Sequence, residues 1–173
     1  MTVETLFRIH LVFGHVAWLL CFGAYILPWL RSMDRVEAHR VIATLHSFRF
    51  FGLVFILPGV IGPNLPGSFG AFAAYADFAT GVLAILALVT VSIRPLFWLF
   101  VVAFNVTGAA DFLVDYYHAI QVDLPAIAGE LGSAYAIPII YVPILMITHV
   151  LAFYWLARSI FEPPAIAGSS LPS

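Results

Sequence analysis

The chain has 173 residues, of which 63% are hydrophobic and 9% charged, and its mean hydropathy is +1.05. Soluble domains carry about 45–50% apolar and about 25% charged residues, so this composition calls for a lipid solvent and implies a polytopic membrane protein. A single cysteine, Cys21, excludes a disulfide scaffold, and a net charge of −2 without a basic run excludes a nucleic-acid binder.

A helical span takes about 20 apolar residues, and the punctuation of the chain predicts five: Leu6–Leu30, Val41–Ile61, Phe69–Ile93, Pro95–His118 and Ala134–Arg158. The separators are the charged RSMDRVEAHR stretch from Arg31, the GPNLPGS turn from Gly62, a tight SIRP turn and the QVDLPAIAGELGS connection from Gln121. That last connection is too short and too interrupted by Pro125, Gly129 and Glu130 to cross a bilayer. The expected fold is therefore all-α, a five-helix transmembrane bundle formed by residues 1–162, followed by a disordered cytoplasmic tail, 163–173. The first span has Glu4, His10 and His15 within or before its apolar run and no small-residue cleavage site, so it reads as retained rather than as a signal peptide.

Every basic residue is an arginine. Arg31, Arg35, Arg40, Arg94 and Arg158 fall on one side of the five-span arrangement and Arg8 on the other, which places the N-terminus outside by the positive-inside rule. Trp29, Trp98 and Trp155 fall at the cytoplasmic ends, and Tyr116, Tyr117 and Tyr135 at the outer ends, as interfacial belts do.

Ionisable groups inside spans cost roughly 2.5–3.5 kcal/mol each on insertion scales and point to function. Here they are His10, His15, His46, Arg49, Asp77, Asp111, Asp115 and His149, at least one per span. Counting inward from the outer boundary puts Asp77, Asp111 and His15 at similar depth, and His46, Arg49, Asn105 and His149 near the middle. Together they describe a polar pocket that descends from outside. The guanidinium of Arg49 keeps its charge and needs carboxylates or carbonyls; Asp77 or Asp111 lies about 9 Å shallower along the membrane normal, within reach of a snorkelling side chain. His39, by contrast, lies in the charged cytoplasmic stretch and reads as solvated.

On the fourth span Asp111, Asp115 and His118 share one face. Asp115 and His118 have the carboxylate-x-x-His spacing of di-metal bundles, although in one copy only. His46 and His149, at comparable depth on different helices, are candidates to hold a metal or to clamp a haem iron from two sides. The backbone breaks at Pro58-Gly59, Pro138 and Pro143 free carbonyls that need partners or line a cavity. Gly108 permits close approach of another backbone. Sixteen phenylalanines exceed what a belt needs and suit a flat or isoprenoid ligand.

Three stretches, LHSFRFFGLVFILPG from Leu45, FNVTGAADF from Phe104 and IPIIYVPILMITH from Ile137, together resemble a family of small polytopic bacterial membrane proteins without an assigned activity. That resemblance implies a multi-pass protein of the bacterial inner membrane. In size and helical build the chain is also similar to small haem-dependent membrane epoxide isomerases, but the asparagine and tyrosine expected around their haem-ligating histidine are not found near His46.

The functional expectation is a membrane protein that binds or acts on a small hydrophobic or isoprenoid-like molecule, with haem or a metal ion as candidate cofactor. Asp77, Asp111 and His15 are the candidate acid–base groups. Arg49, Asn105, His46, His149 and Tyr141 are the candidate ligand contacts, and Asp115, His118, His46 and His149 the candidate metal ligands. A small proton-coupled transporter and an accessory subunit of a larger membrane complex remain as alternatives.

Overall fold

In the computed structural model, which describes residues 1–161, the chain is all-α, with six α-helices and no strand among the described residues. The predicted tail, 163–173, lies outside them. Helix α1 (Val3–Cys21) continues through a π-helical turn (Phe22–Ile26) into α2 (Leu27–Arg31). Helix α3 (Arg35–Ser47) runs into a 3-10 helix (Phe48–Ile56). Then come α4 (Gly67–Val89), α5 (Arg94–Gln121), a 3-10 helix (Ala128–Tyr135), a second π-helical turn (Ile137–Tyr141) and α6 (Val142–Phe161). Four helical runs are long and apolar enough to cross a membrane: Val3–Arg31, Gly67–Val89, Arg94–Gln121 and Ile137–Arg158.

The expected fifth long helix over Val41–Ile61 does not form. Its first part completes α3, which Asp34 caps by accepting the N–H groups of Val36 (2.8 Å) and Glu37 (3.0 Å). Its second part winds as a 3-10 helix. The reason is visible in what that segment buries: Arg49, Gly52 and Phe55. Residues three apart eclipse one another in a 3-10 helix, so all three face α4 in a straight row, whereas α-helical winding would rotate each from the last. The run then stops at Leu57, extended at ψ 125°, as the residue before a proline prefers.

This composite segment packs antiparallel along α4. Ala38, Ile42 and Ala43 share a core with Ala84 and Ala87, Gly81 abuts Phe50 and Ser47, Gly52 receives Asp77, and Gly70 lies against Phe55. Alanine and glycine dominate the α4 side of this contact, allowing the close backbone approach on which packing within lipid depends.

Both π-helical turns immediately precede a proline. Leu27 N–H reaches back five residues to Phe22 C=O and is followed by Pro28; Val142 N–H reaches Ile137 C=O and is followed by Pro143. Each proline lacks the N–H that would continue the ladder and its ring displaces the carbonyl four residues back. The second turn is also where α1 docks. Gly14 lies directly against Ile139 C=O, the carbonyl Pro143 leaves without its helical donor, and Trp18 Nε1–H donates to Ile140 C=O across 2.7 Å.

The connection from Gln121 is not among the helices long and apolar enough to cross a membrane. It folds back over the end of the bundle where α1 begins and α5 finishes, and Glu130 ties it to the Gly62 turn: its C=O accepts Gly62 N–H (2.7 Å) and its carboxylate accepts Asn64 N–H (3.1 Å) and Nδ2–H (2.9 Å). Gly132, at φ +52°, presses on Val60 C=O, a place with no room for a side chain.

At the other end His39 corrects its expectation. It is 1% exposed, packed edge-on against Trp98 at 5.0 Å and tilted against Trp155 at 5.8 Å. Helical winding of the charged stretch turns Arg40 outward and the His39 face inward, and the Arg35 guanidinium covers Trp155 from 5.0 Å.

Candidate functional site

Arg49 is fully buried. Its Nε–H donates to Asp77 Oδ1 at 2.5 Å, and Nη2–H donates to Asp111 Oδ2. Nη1 donates to Gly108 C=O at 3.4 Å and to His149 Nε2 at 3.3 Å. The Phe112 ring lies 4.5 Å from the guanidinium carbon, adding a cation–π contact. The depth count anticipated one carboxylate partner, Asp77 or Asp111; the fork of the guanidinium engages both, one on α4 and one on α5.

Glycines make the convergence possible. A Cβ on Gly108 would lie 2.5 Å from Arg49 Nη1 and 2.6 Å from His149 Nε2. A Cβ on Gly52 would run into the Asp77 side chain, and one on Gly81 would lie 3.0 Å from Phe50 N. Gly108 thus admits two side chains, where the sequence reading expected a neighbouring backbone.

The hydrogen bonds also assign a tautomer. An arginine only donates, so His149 Nε2 accepts and its proton resides on Nδ1, which donates to Asn105 Oδ1 at 2.8 Å. Asn105 Nδ2–H passes the chain on to Val101 C=O at 2.8 Å. His149 is a neutral imidazole that completes the shell of Arg49, and Asn105 orients it. His46 packs tilted against His149, at 45° with ring centroids 4.1 Å apart, and bonds through Nε2 to Thr148 Oγ1 at 3.0 Å. Rings in direct contact leave no gap for a macrocycle, so His46 and His149 as arranged do not clamp a haem from two sides.

Above this shell, toward the α1 N-terminus, lies a cavity of about 360 Å³. Phe7, Leu11, Phe55, Phe69, Leu131 and Ile137 supply much of its apolar wall, and Phe112 separates it from the guanidinium. Asp77 and Asp115 line it, Tyr116 and Asp123 are higher, and Arg8 stands at the rim, paired with Glu4 at 2.7 Å. Arg49 itself does not reach the cavity. Asp77 belongs to both structures: its Oδ1 accepts from Arg49, and the residue is among those that line the cavity.

The remaining sequence candidates lie elsewhere. His15 bonds through Nδ1 to Leu11 C=O in its own helix (2.8 Å) and does not join the aspartates. Tyr141 O–H donates to Leu45 C=O (3.1 Å), pinning α3 to the second π-helical turn. His118 faces Phe72, ring centroids 5.2 Å apart. Among the described residues no three His, Cys, Asp or Glu side chains come together to hold a metal ion, so the Asp115–His118 pair has no third ligand there.

Sequence reasoning did not single out Phe112, Thr148, Gly52 or Gly81. A signal for Phe112 exists: Val101, Asn105, Gly108 and Phe112 form a three-to-four-residue stripe on α5, and all are buried.

A family profile described as Domain of unknown function (DUF8737) matches residues 6–157. No curated protein and no solved structure matches the chain.

Proposed function

The chain belongs to this family of unknown function, and on that premise we propose that it is a membrane-embedded binding protein for a small hydrophobic or isoprenoid-like molecule, which enters the cavity between α1, α4 and α5. The observation that carries this reading is the cavity itself. Its volume lies in the range of about 300–1,000 Å³ usual for small-molecule sites, and an apolar wall with few convergent polar groups is their usual character.

The roles divide by position. Asp77, Asp115 and Tyr116 line the cavity and meet the ligand. Arg49, Asp111, His149 and Asn105 lie behind Asp77 and position it. The bundle sits in a bacterial inner membrane with its N-terminus outside, so that the cavity opens outward. The clustering of five of the seven arginines toward the opposite end supports that orientation.

Mass spectrometry of small molecules extracted from protein purified in mild detergent tests this reading. A defined apolar compound accompanies the native protein and is missing from Ala73→Trp, whose indole fills the cavity from its α4 wall. Identical extracts from two equally folded proteins would refute it.

One feature favours a second reading, a small proton-coupled carrier. Ile137, Pro138 and Val142, at the second π-helical turn, line the same cavity, so flexing of that turn would change access to Asp77 and Asp115. Flux into proteoliposomes driven by a pH gradient selects this reading, and its absence selects the binding protein.

A further inference from the structure

Resting on the binding-protein reading, we infer that the ligand is a lipophilic cation, an alkyl or isoprenyl ammonium whose charged head sits between Asp77 and Asp115 and whose hydrocarbon body fills the apolar cavity. Three independent observations carry this. The first is the cavity, closed in by phenylalanine and aliphatic side chains from α1, α4, α5 and the loop after α5.

The second is the count of buried acceptors. The single guanidinium of Arg49 is shared by the carboxyl groups of Asp77 and Asp111. Asp115, one helical turn beyond Asp111, adds another, and its Oδ1 is buried without a hydrogen-bond partner among the described residues. A buried oxygen without a donor is costly, and an ammonium entering the cavity supplies the N–H donor that Asp115 lacks.

The third is the placement of positive charge. Arg49 is shielded from the cavity behind Phe112 and Asp77 and has no exposed surface. Arg8 is at the rim, two-thirds exposed and engaged by Glu4. His149 is neutral by its hydrogen bonds and lies on the far side of the guanidinium. An anionic head would thus meet the carboxyl groups of Asp77 and Asp115, which line the cavity, while an ammonium would find acceptors in them.

The test uses three molecules of one chain length, octylammonium, octanol and octanoate, titrated calorimetrically at pH 7 into the protein in lipid nanodiscs, each against empty nanodiscs. The expected result is saturable binding with octylammonium at least tenfold tighter than octanol, and octanoate weakest. Asp115→Asn, which leaves the Arg49 pairs intact, brings octylammonium to within about threefold of octanol. Equal affinity for ammonium and alcohol in the native protein, or preference for octanoate, would overturn the cation assignment while leaving a hydrophobic binding site in place. An ammonium preference unchanged in a folded Asp115→Asn protein would overturn the assignment of the head to this pair. No saturable binding by any of the three would overturn the binding-protein reading and this inference with it.

Discussion

Asp77 joins two features: its Oδ1 accepts the Arg49 Nε–H at 2.5 Å, and the residue lines the 360 Å³ cavity. Through it, a ligand in the cavity would be coupled to Arg49, which does not line the cavity. The consequences can be separated by substitution.

Arg49→Gln removes the cation and leaves Asp77 and Asp111 buried together. Breaking a buried pair by deleting one partner costs about 3–5 kcal/mol, and that loss should appear as a clear drop in thermal unfolding temperature in detergent. Replacing Arg49, Asp77 and Asp111 together by Met, Leu and Leu should recover much of it, because no charge is then stranded. Unchanged stability and ligand retention in Arg49→Gln would remove Arg49 from the centre of the site.

Gly108→Ala should damage the site without changing any charge. The added methyl would lie 2.5 Å from Arg49 Nη1 and 2.6 Å from His149 Nε2, while the same change at Gly129 meets nothing within 4 Å. Overpacking costs about 1–3 kcal/mol, and an open surface change stays within about 0.5 kcal/mol. Paired thermal unfolding of the two variants checks this directly; equal melting of both would show that the shell yields freely.

That Arg49 needed carboxylate partners was legible because an arginine keeps its charge, and residue counting put Asp77 and Asp111 within reach. The four long helices were legible from long, predominantly apolar runs. What hid the behaviour of Val41–Ile61 is that an apolar run reads alike whether it winds as α or 3-10; only the row of Arg49, Gly52 and Phe55, meaningful once α4 is known to be opposite, distinguishes them. His39 was misread because its neighbours Arg35 and Arg40 are charged, whereas its burial depends on Trp98 and Trp155, roughly 60 and 115 residues away. The cavity has no local signature, since its walls come from five separate parts of the chain.

His39 gives a prediction in pH. It lies in the charged stretch ahead of the apolar run, and burial is the main cause lowering its pKa below the ordinary 6.5, with Arg35 adding to it and a backbone hydrogen bond opposing. A histidine with a depressed folded-state pKa contributes stability that is complete above about 6.5 and declines as pH falls below it, because the unfolded chain then takes up the proton first. Thermal unfolding between pH 7.5 and 5 should therefore show a steeper loss in the native protein than in His39→Phe, which keeps a ring against Trp98 and Trp155. Parallel curves would assign the acid sensitivity elsewhere.

Docking of α1 should depend on two contacts with the second π-helical turn. Gly14→Ala places a methyl against Ile139 C=O, and Trp18→Phe removes the 2.7 Å bond to Ile140 C=O. Both should raise hydrogen exchange or protease access along Val3–Cys21 with little effect on the α4–α5 pair, since α1 contributes Phe7 and Leu11 to the cavity and none of the Arg49 shell. Uniform loosening of the whole bundle would instead make α1 part of a single cooperative unit.

The most direct test of the central claim is photolabelling with an alkyl diazirine in membranes, followed by mapping of the modified residues. A molecule resident in the cavity should label the cavity-lining positions Phe69, Ala73, Phe112 and Tyr116 saturably, and Ala73→Trp should abolish that labelling while exposed positions away from the cavity such as Leu19 and Val150 are labelled as before. Labelling confined to such exposed positions, or identical in the Ala73→Trp protein, would contradict the assignment of this cavity as a ligand site.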